Sequence, residues 1–253
     1  MNIISIINHK GGVGKTTTTL NLGSSLAHKG CKVLLLDLDG QANLTVSAGI
    51  KDVSRTIYEA FRDELNTLPI LINEAGLEIV PASLDLQALE AELIGEPARE
   101  LILKELLEPV KNQYDYILID CPPALGFLTL NALTASDHII IPVEAEALAL
   151  KGMTKLLQVI QKVQKRLNPD IKVLGILVTK YDSRKVLNRS VHDNISQQYA
   201  NLLLKTVIRD NVSIAEAPSA QTDIIHYAPK SYGAEDYLKL ADEVNELLQN
   251  SKQ

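Results

Sequence analysis

Cysteine is scarce in this chain: Cys31 and Cys121 are the two present in 253 residues, with no CxxC pair and no His/Cys cluster at zinc spacing. That excludes a disulfide scaffold and a zinc-ribbon type of fold, and a reducing cytoplasm is the expected setting. No run of about 18 apolar residues occurs, so no membrane span is expected. The first strand pattern starts within two residues of Met1, leaving no basic and apolar leader to direct export. Linkers rich in Pro, Gly or Ser, internal repeats and low-complexity tracts are also missing, which points to one domain over residues 1–253. Nor is there an excess of positive charge. A formal net charge of -6 excludes a protein that coats nucleic acid with its whole surface, although a local basic patch remains open. Against these absences, 46% hydrophobic and 22% charged residues describe an ordinary globular chain, long enough to bury a substantial core.

The most informative stretch is residues 3–19, IISIINHKGGVGKTTTT. An apolar run enters a glycine-rich turn that ends in Lys15-Thr16-Thr17 and continues as helix-forming sequence: strand, loop, helix. Gly14-Lys15-Thr16 matches the end of a P-loop, whose backbone N–H groups cradle phosphates while the lysine reaches the terminal phosphates and the hydroxyl ligates Mg²⁺. The leading glycine of the standard motif is replaced by His9, and an extra Lys10 heads the loop before Gly11, Gly12 and Val13. Apolar and small residues at Leu20, Leu22, Gly23, Leu26 and Ala27 predict a helix over 17–29, closed by Gly30. Residues 32–39 (KVLLLDLD) then read as a central parallel strand, completing a βαβ unit. Asp37 and Asp39, two apart on that strand, are expected on one face near the phosphates; from the residues alone, capping a turn is the other reading.

Further along, residues 56–61 predict a short helix, 77–81 a strand, and 84–107 one or two helices interrupted at Gly95-Glu96-Pro97. The acidic series Glu90, Glu92, Glu96, Glu100, Glu105 and Glu108 is read as a solvated face without chemistry. Residues 114–120 (YDYILID) form an apolar strand ending in Asp120, the pattern that holds Mg²⁺ in P-loop enzymes, followed by Cys121-Pro122-Pro123. Nothing basic lies near Cys121 in sequence, so a buried, inert thiol is expected. Alternation continues with strands at 138–143 and 171–179 around a helix at 148–166. The expected fold is α/β, a doubly wound, mostly parallel sheet with helices on both faces.

The loop Lys10-Gly11-Gly12-Val13-Gly14-Lys15-Thr16, the Asp37-Leu38-Asp39-Gly40-Gln41-Ala42-Asn43 segment and Asp120-Cys121-Pro122-Pro123, in that order, resemble the deviant P-loop ATPases of the ParA/MinD family, and the ParA/Soj partition type in particular. The resemblance spans nearly the whole chain and implies ATP and Mg²⁺ as cofactors. It implies that Asp39 orients the attacking water, that Thr16, Asp39 and Asp120 serve the metal, and that Lys10, Lys15 and Asp39 are the catalytic set. It places the nucleotide on residues 11–17 and its base near Asn211 and Pro218. One departure is Gly40, where the family usually has proline.

Partners follow in the same way. ATP would bring two protomers face to face, Lys10 of each reaching the other's phosphates. The dimer would bind DNA non-specifically, and a ParB-like activator would stimulate hydrolysis. Cations concentrate at Lys180, Arg184, Lys185, Arg189, Lys205 and Arg209. If residues 186–199 are helical, Lys185, Arg189 and His192 share a face at i, i+4 and i+7; the site assigned to DNA is Lys180, Arg184, Lys185, Arg189 and Arg209. The family's Pro-Arg-Asn-Val-Arg stands here as Arg209-Asp210-Asn211-Val212-Ser213, losing two basic positions and gaining one. A terminal helix over 235–248 buries Leu238, Ala241, Val244 and Leu248 and is acidic outside, which disfavours a membrane-binding role. Without a helix-turn-helix segment before the P-loop, the chain resembles the compact form of the family, nucleoid-associated in the cytoplasm. The alternative cargo is a protein assembly such as a chemoreceptor cluster or microcompartment. A redox protein like the nitrogenase iron protein would need cluster-bridging cysteines that Cys31 and Cys121 do not provide.

Overall fold

Long apolar runs cannot alternate faces unless both faces are covered, and here they become the interior strands of one sheet. The computed structural model describes residues 1–65, 67–146 and 149–250. In chain order these form β1 (Asn2–Ile6), α1 (Lys15–His28), β2 (Val33–Asp37), α2 (Asn43–Ser47), α3 (Ile57–Phe61), β3 (Leu71–Ile72), β4 (Glu78–Val80), α4 (Leu89–Glu92), α5 (Ile102–Leu107), β5 (Tyr116–Asp120) and α6 (Phe127–Ala135). There follow β6 (His138–Glu144), α7 (Ala149–Arg166), β7 (Lys172–Tyr181), α8 (Val186–Tyr199), β8 (Leu203–Arg209), α9 (Val212–Glu216), α10 (Ile224–Tyr227) and α11 (Tyr232–Asn250). Position 148, where the α7 pattern was expected to begin, lies outside the described residues.

The strands join in the order β3-β4-β2-β5-β1-β6-β7-β8, parallel throughout except for β3 against β4. Alternation within each strand assigns its side chains to one of two cores. Leu34, Leu36, Ile117, Ile119, Ile139 and Ile141 face the layer containing α3, α5, α6, α7 and α8, while Leu35, Leu118, Ile140 and Leu177 face α1 and α11. The doubly wound expectation therefore holds. The crossover from β1 through α1 runs past β5 to β2, whereas the one from β5 through α6 runs past β1 to β6 in the opposite direction, and ligands in such sheets bind at the carboxyl ends beside that point.

Several local features have simple causes. Thr56 caps α3 in a reciprocal box: its hydroxyl accepts from the Tyr58 N–H at 3.2 Å and its own N–H donates to Glu59 at 2.7 Å. The region 84–107 breaks into a 3₁₀ turn (Leu84–Gln87), α4, a second turn (Arg99–Leu101) and α5, with the interruption falling at residues 93–98 as expected. Strand β8 has no sequence signal strong enough to announce it, yet it forms one edge of the sheet. Its outward N–H groups are satisfied by α11: Glu243 accepts from Lys205 and Thr206 at 2.7 and 2.9 Å, and Asp236 accepts from Arg209 at 2.9 Å. Carboxylates so placed deny the edge to another strand. α11 buries Tyr237, Leu240, Ala241, Val244 and Leu248, with Leu238 half-buried. Among the described residues no helix is long and apolar enough to cross a membrane.

Candidate functional site

The loop between β1 and α1 curls at the carboxyl edge of the sheet, and two glycines make the curl possible. Gly12 and Gly14 have φ of 77° and 89°, a left-handed region that costs other residues energy. Asn8 fastens the loop to β6, donating to the Pro142 carbonyl at 2.7 Å and accepting from the Lys10 N–H at 3.0 Å. Thr179 fastens it to β7 by donating to the Val13 carbonyl at 2.9 Å. Neither anchor was singled out in the sequence. Helix α1 then begins at Lys15, with its first N–H groups lacking intrahelical acceptors and its dipole favouring an anion. Lys15 is nearly buried, its Nζ 3.4 Å from the Lys10 carbonyl. A Cβ on Gly11 or Gly12 would meet no atom within 4 Å. Gly11, whose φ is not positive, thus leaves open space at the head of the loop.

Asp120 closes β5 directly beneath that helix terminus. Its Oδ2 accepts from Thr16 Oγ1 at 2.6 Å, and its Oδ1 is buried without a partner among the described residues. Burial, and next the neighbouring Asp37, push its pKa well above the usual carboxylate value. An orphaned buried carboxylate oxygen beside a threonine hydroxyl is a donor set that suits a hard divalent cation, so these residues fit Mg²⁺.

Asp37 and Asp39 do not share a strand face, contrary to expectation. β2 ends at Asp37, which pairs in register with Asp120 and is fully buried. Its carboxylate accepts from the Thr45 N–H and hydroxyl at 2.9 and 2.7 Å and from the Asp39 N–H at 3.1 Å. Burial raises its pKa to about 6. Asp37 thus pins the start of α2 and turns the chain, which leaves Asp39 on a partly exposed loop where its Oδ1 accepts from the Gln41 N–H at 3.0 Å. The departure at Gly40 has a steric cause, since a Cβ there would lie 2.8 Å from Gln87 Cγ. Cys121 is buried as expected, and desolvation drives its thiol pKa upward.

On the other side of the loop, Asn211 and Pro218 come together with Gly14 and Thr17 around a cavity of ≈ 290 Å³. Thr179, Ile208, Ile214 and Tyr237 complete it, all missed from sequence because they come from β7, β8, α9 and α11. Asn211 also caps α9, accepting from the Ser213 N–H at 2.9 Å.

Residues 1–173 match the family model described as an AAA domain. Over 246 residues, covering 96% of this chain and 97% of the other, the sequence is 47% identical to the sporulation initiation inhibitor protein Soj of Bacillus subtilis (strain 168). The chromosome partitioning protein ParA of Myxococcus xanthus (strain DK1622) is 43% identical, with 96% of this chain and 87% of that one covered. The chain belongs to the ParA/Soj family of ATPases. In three dimensions it is similar to cobyrinic acid a,c-diamide synthase from Mycobacterium smegmatis, solved with bound ATP analogue and magnesium. The TM-score is 0.85 at 35% identity, covering 96% of this chain and 93% of that one.

The cations that ParA/Soj resemblance assigned to DNA are not equivalent in the structure. Arg209 is committed inward: Nε and Nη2 bond Asp236 at 2.6–3.0 Å, Nη2 also meets Glu235 at 2.7 Å, and the guanidinium stacks over Tyr232 at 4.3 Å. It locks β8 to α11, its guanidinium engaged by the carboxylates of Asp236 and Glu235. Helix α8 forms over 186–199 as expected, with Lys185 its N-cap, the Lys185 carbonyl accepting from the Arg189 N–H at 3.2 Å; the Lys185 side chain meets Asp210 at 3.4 Å, and His192 packs against Tyr181. Lys180 pairs with Glu144 at 3.3 Å, and Arg184, 89% exposed, grips Asp182 and holds that carboxylate down at about 2. Arg189 donates to the carbonyls of Ser183 and Arg184 and has no carboxylate partner among the described residues. The P-loop's own Lys10 is paired with Glu146 and, at 3.6 Å, with Glu144; its hydrogen bond to Glu146 raises its pKa.

Substituting Asp120→Asn should stabilise the nucleotide-free protein by about 1 kcal/mol at neutral pH, because the cost of holding that carboxyl away from water is removed. The raised folded-state pKa means that the native state holds a proton the unfolded chain releases, so wild-type stability falls as pH rises above 3.8. The variant's advantage should therefore vanish near the acid end, while its Mg²⁺-dependent nucleotide binding is lost at every pH. Urea denaturation at acidic and neutral pH checks this; a variant less stable than wild type at neutral pH would show that the orphaned oxygen is not costly.

Proposed function

We propose that this single-domain chain is an ATP-dependent dimerisation switch that binds DNA non-specifically and drives chromosome or plasmid partition, its hydrolysis stimulated by a ParB-like partner. The observation that carries the reading is the Thr16–Asp120 pair under the α1 N-terminus, with one buried carboxylate oxygen lacking a hydrogen-bond partner among the described residues. Similarity to Soj and ParA supports the partition role, and the magnesium and ATP analogue in the solved relative support the cofactors. The setting is the cytoplasm, on the nucleoid.

Each residue has a task that its place allows. The N–H groups of residues 11–17 cradle the phosphates, Lys15 neutralises the terminal one, and Asn211 and Pro218 line the base pocket. Thr16 and Asp120, with Asp39 nearby on its loop, hold Mg²⁺, which supplies charge neutralisation at the phosphate oxygens. Asp39 orients the attacking water, its loop position giving it the reach that buried Asp37 lacks. Gly11 allows a second protomer to approach, and Lys10 crosses to that protomer's phosphates. To do so it must leave Glu146 and Glu144, exchanging a solvent-exposed ion pair of small worth for a dense phosphate charge. Glu144 also holds Lys180, which lines the base pocket, so the nucleotide site and the loop lysine share one carboxylate. Sequence-independent DNA contact falls to Arg184, Lys185 and Arg189, with Lys180 beside them.

Asp39→Ala should bind ATP and dimerise yet lose hydrolysis by about two orders of magnitude or more; light scattering with a phosphate-release assay measures both, and near-normal turnover would place the water elsewhere. For the surface, Arg184→Glu with Arg189→Glu should abolish salt-sensitive DNA binding with the dimer intact. Unchanged DNA affinity would refute that assignment.

A further inference from the structure

Two glycines beside the phosphate site are covered by one short stretch of chain. Gly40 is buried, although its neighbours Asp39 and Gln41 reach solvent. A Cβ on Gly40 would lie 2.8 Å from Gln87 Cγ and 3.4 Å from the Gln87 backbone nitrogen. Its φ is outside the left-handed region, so glycine stands there because of this contact, and backbone conformation does not require it. A Cβ on Gly126 would lie 3.0 Å from Glu90 Oε2. Gly126 is the N-cap of α6 and has no side chain to offer, and a carboxylate is favoured at that end of the helix dipole. Gln87 and Glu90, at i and i+3, make these contacts from one side of their segment, while Leu86 and Leu89 fix its other side in the core.

The same segment is tied at its root to the loop that Gln87 covers. The Ala82 N–H donates to Thr45 Oγ1 at 2.9 Å, and that hydroxyl donates to Asp37 Oδ2 at 2.7 Å. Asp37 in turn accepts from the Asp39 N–H at 3.1 Å. Residues 82–90 therefore reach the Asp39 loop twice, at its base through Thr45 and Asp37 and at its tip through the side chain of Gln87. Within the loop, Asp39 accepts from the Gln41 N–H at 3.0 Å and from the Ala42 N–H at 2.8 Å. Beyond it lies a cavity of ≈ 320 Å³ lined by Asp39, Gln41, Gln87 and Pro122, so the loop has room to shift once the contact at its tip is lost.

We propose that Gln87 is a positioning residue for ATP hydrolysis: its methylene chain, seated on the bare Cα of Gly40, clamps the loop that carries Asp39. Displacing a reacting group by about 1 Å costs up to a hundredfold in rate. Nucleotide binding draws on the N–H groups of residues 11–17, which Gln87 does not touch, so the clamp acts on turnover and leaves binding alone. The effect on hydrolysis rests on the role given to Asp39 above, whereas the clamp rests on the contact itself.

Steady-state kinetics and hydrogen exchange on the full-length protein test this. Gln87→Ala should lower kcat about tenfold or more, with the KM for ATP and ATP-dependent dimerisation unchanged, and should speed exchange of the Gln41 and Ala42 amides. Gln87→Met keeps the methylene and discards the amide, and should turn over like wild type. Gly40→Ala should be slow as well, because its methyl group and Gln87 Cγ compete for one space. Adding Gln87→Ala clears that space, so the double variant should recover turnover that Gly40→Ala alone has lost. Wild-type kcat in Gln87→Ala, a Met variant as slow as the Ala variant, or multiplied losses in the double variant would each overturn the proposal. Near-normal turnover in Asp39→Ala would remove the hydrolytic effect together with the role of Asp39; unchanged amide exchange in Gln87→Ala would remove the clamp itself.

Discussion

One buried carboxylate governs this molecule. Asp120 sits at the end of the central strand β5, fully enclosed, with one oxygen bonded to Thr16 and the other without a partner among the described residues. A fold does not keep such a group for stability, since an unsatisfied buried acceptor costs about 1–3 kcal/mol. The surrounding structure serves to hold it there. Parallel register sets Asp37 beside it, α1 aims its N-terminus at it, and the anchors from Asn8 and Thr179 fix the loop that closes over it. Burial disfavours the ionised form of Asp120, and a cation beside it with an anion at the helix terminus would complete the cluster.

The sheet and the phosphate loop were legible in the sequence because their signals are local. Apolar runs of a strand's length, a glycine turn with lysine and threonine after it, and a terminal aspartate each report on their own neighbourhood. What was not legible depended on distant partners. Asp37 and Asp39 look alike as DxD, yet Thr45 claims the first and ends the strand, releasing the second. Arg209 reads as a surface cation until α11 brings Asp236 and Tyr232 to it, and Lys185 reads as a free cation until the end of β8 brings Asp210 to it. The base pocket was half-visible: Asn211 and Pro218 could be named, but Thr179, Ile214 and Tyr237 join them only through folding.

Charge divides the molecule along its sheet. Acidic side chains gather around α3, α4 and α5, with α3 tied to the Pro81 carbonyl just past β4, and the more basic surface lies by α8 and β8 at the far edge. The nucleotide site lies between these two regions, at the carboxyl ends of the central strands.

The central claim is that nucleotide state sets affinity for DNA, which requires that the two states differ in how they bind it. Titrating DNA with the protein in ATP, in ADP and without nucleotide, each at low and high salt, tests it most directly. The account predicts strong, salt-sensitive binding with ATP alone. Equal affinity in all three states would contradict it.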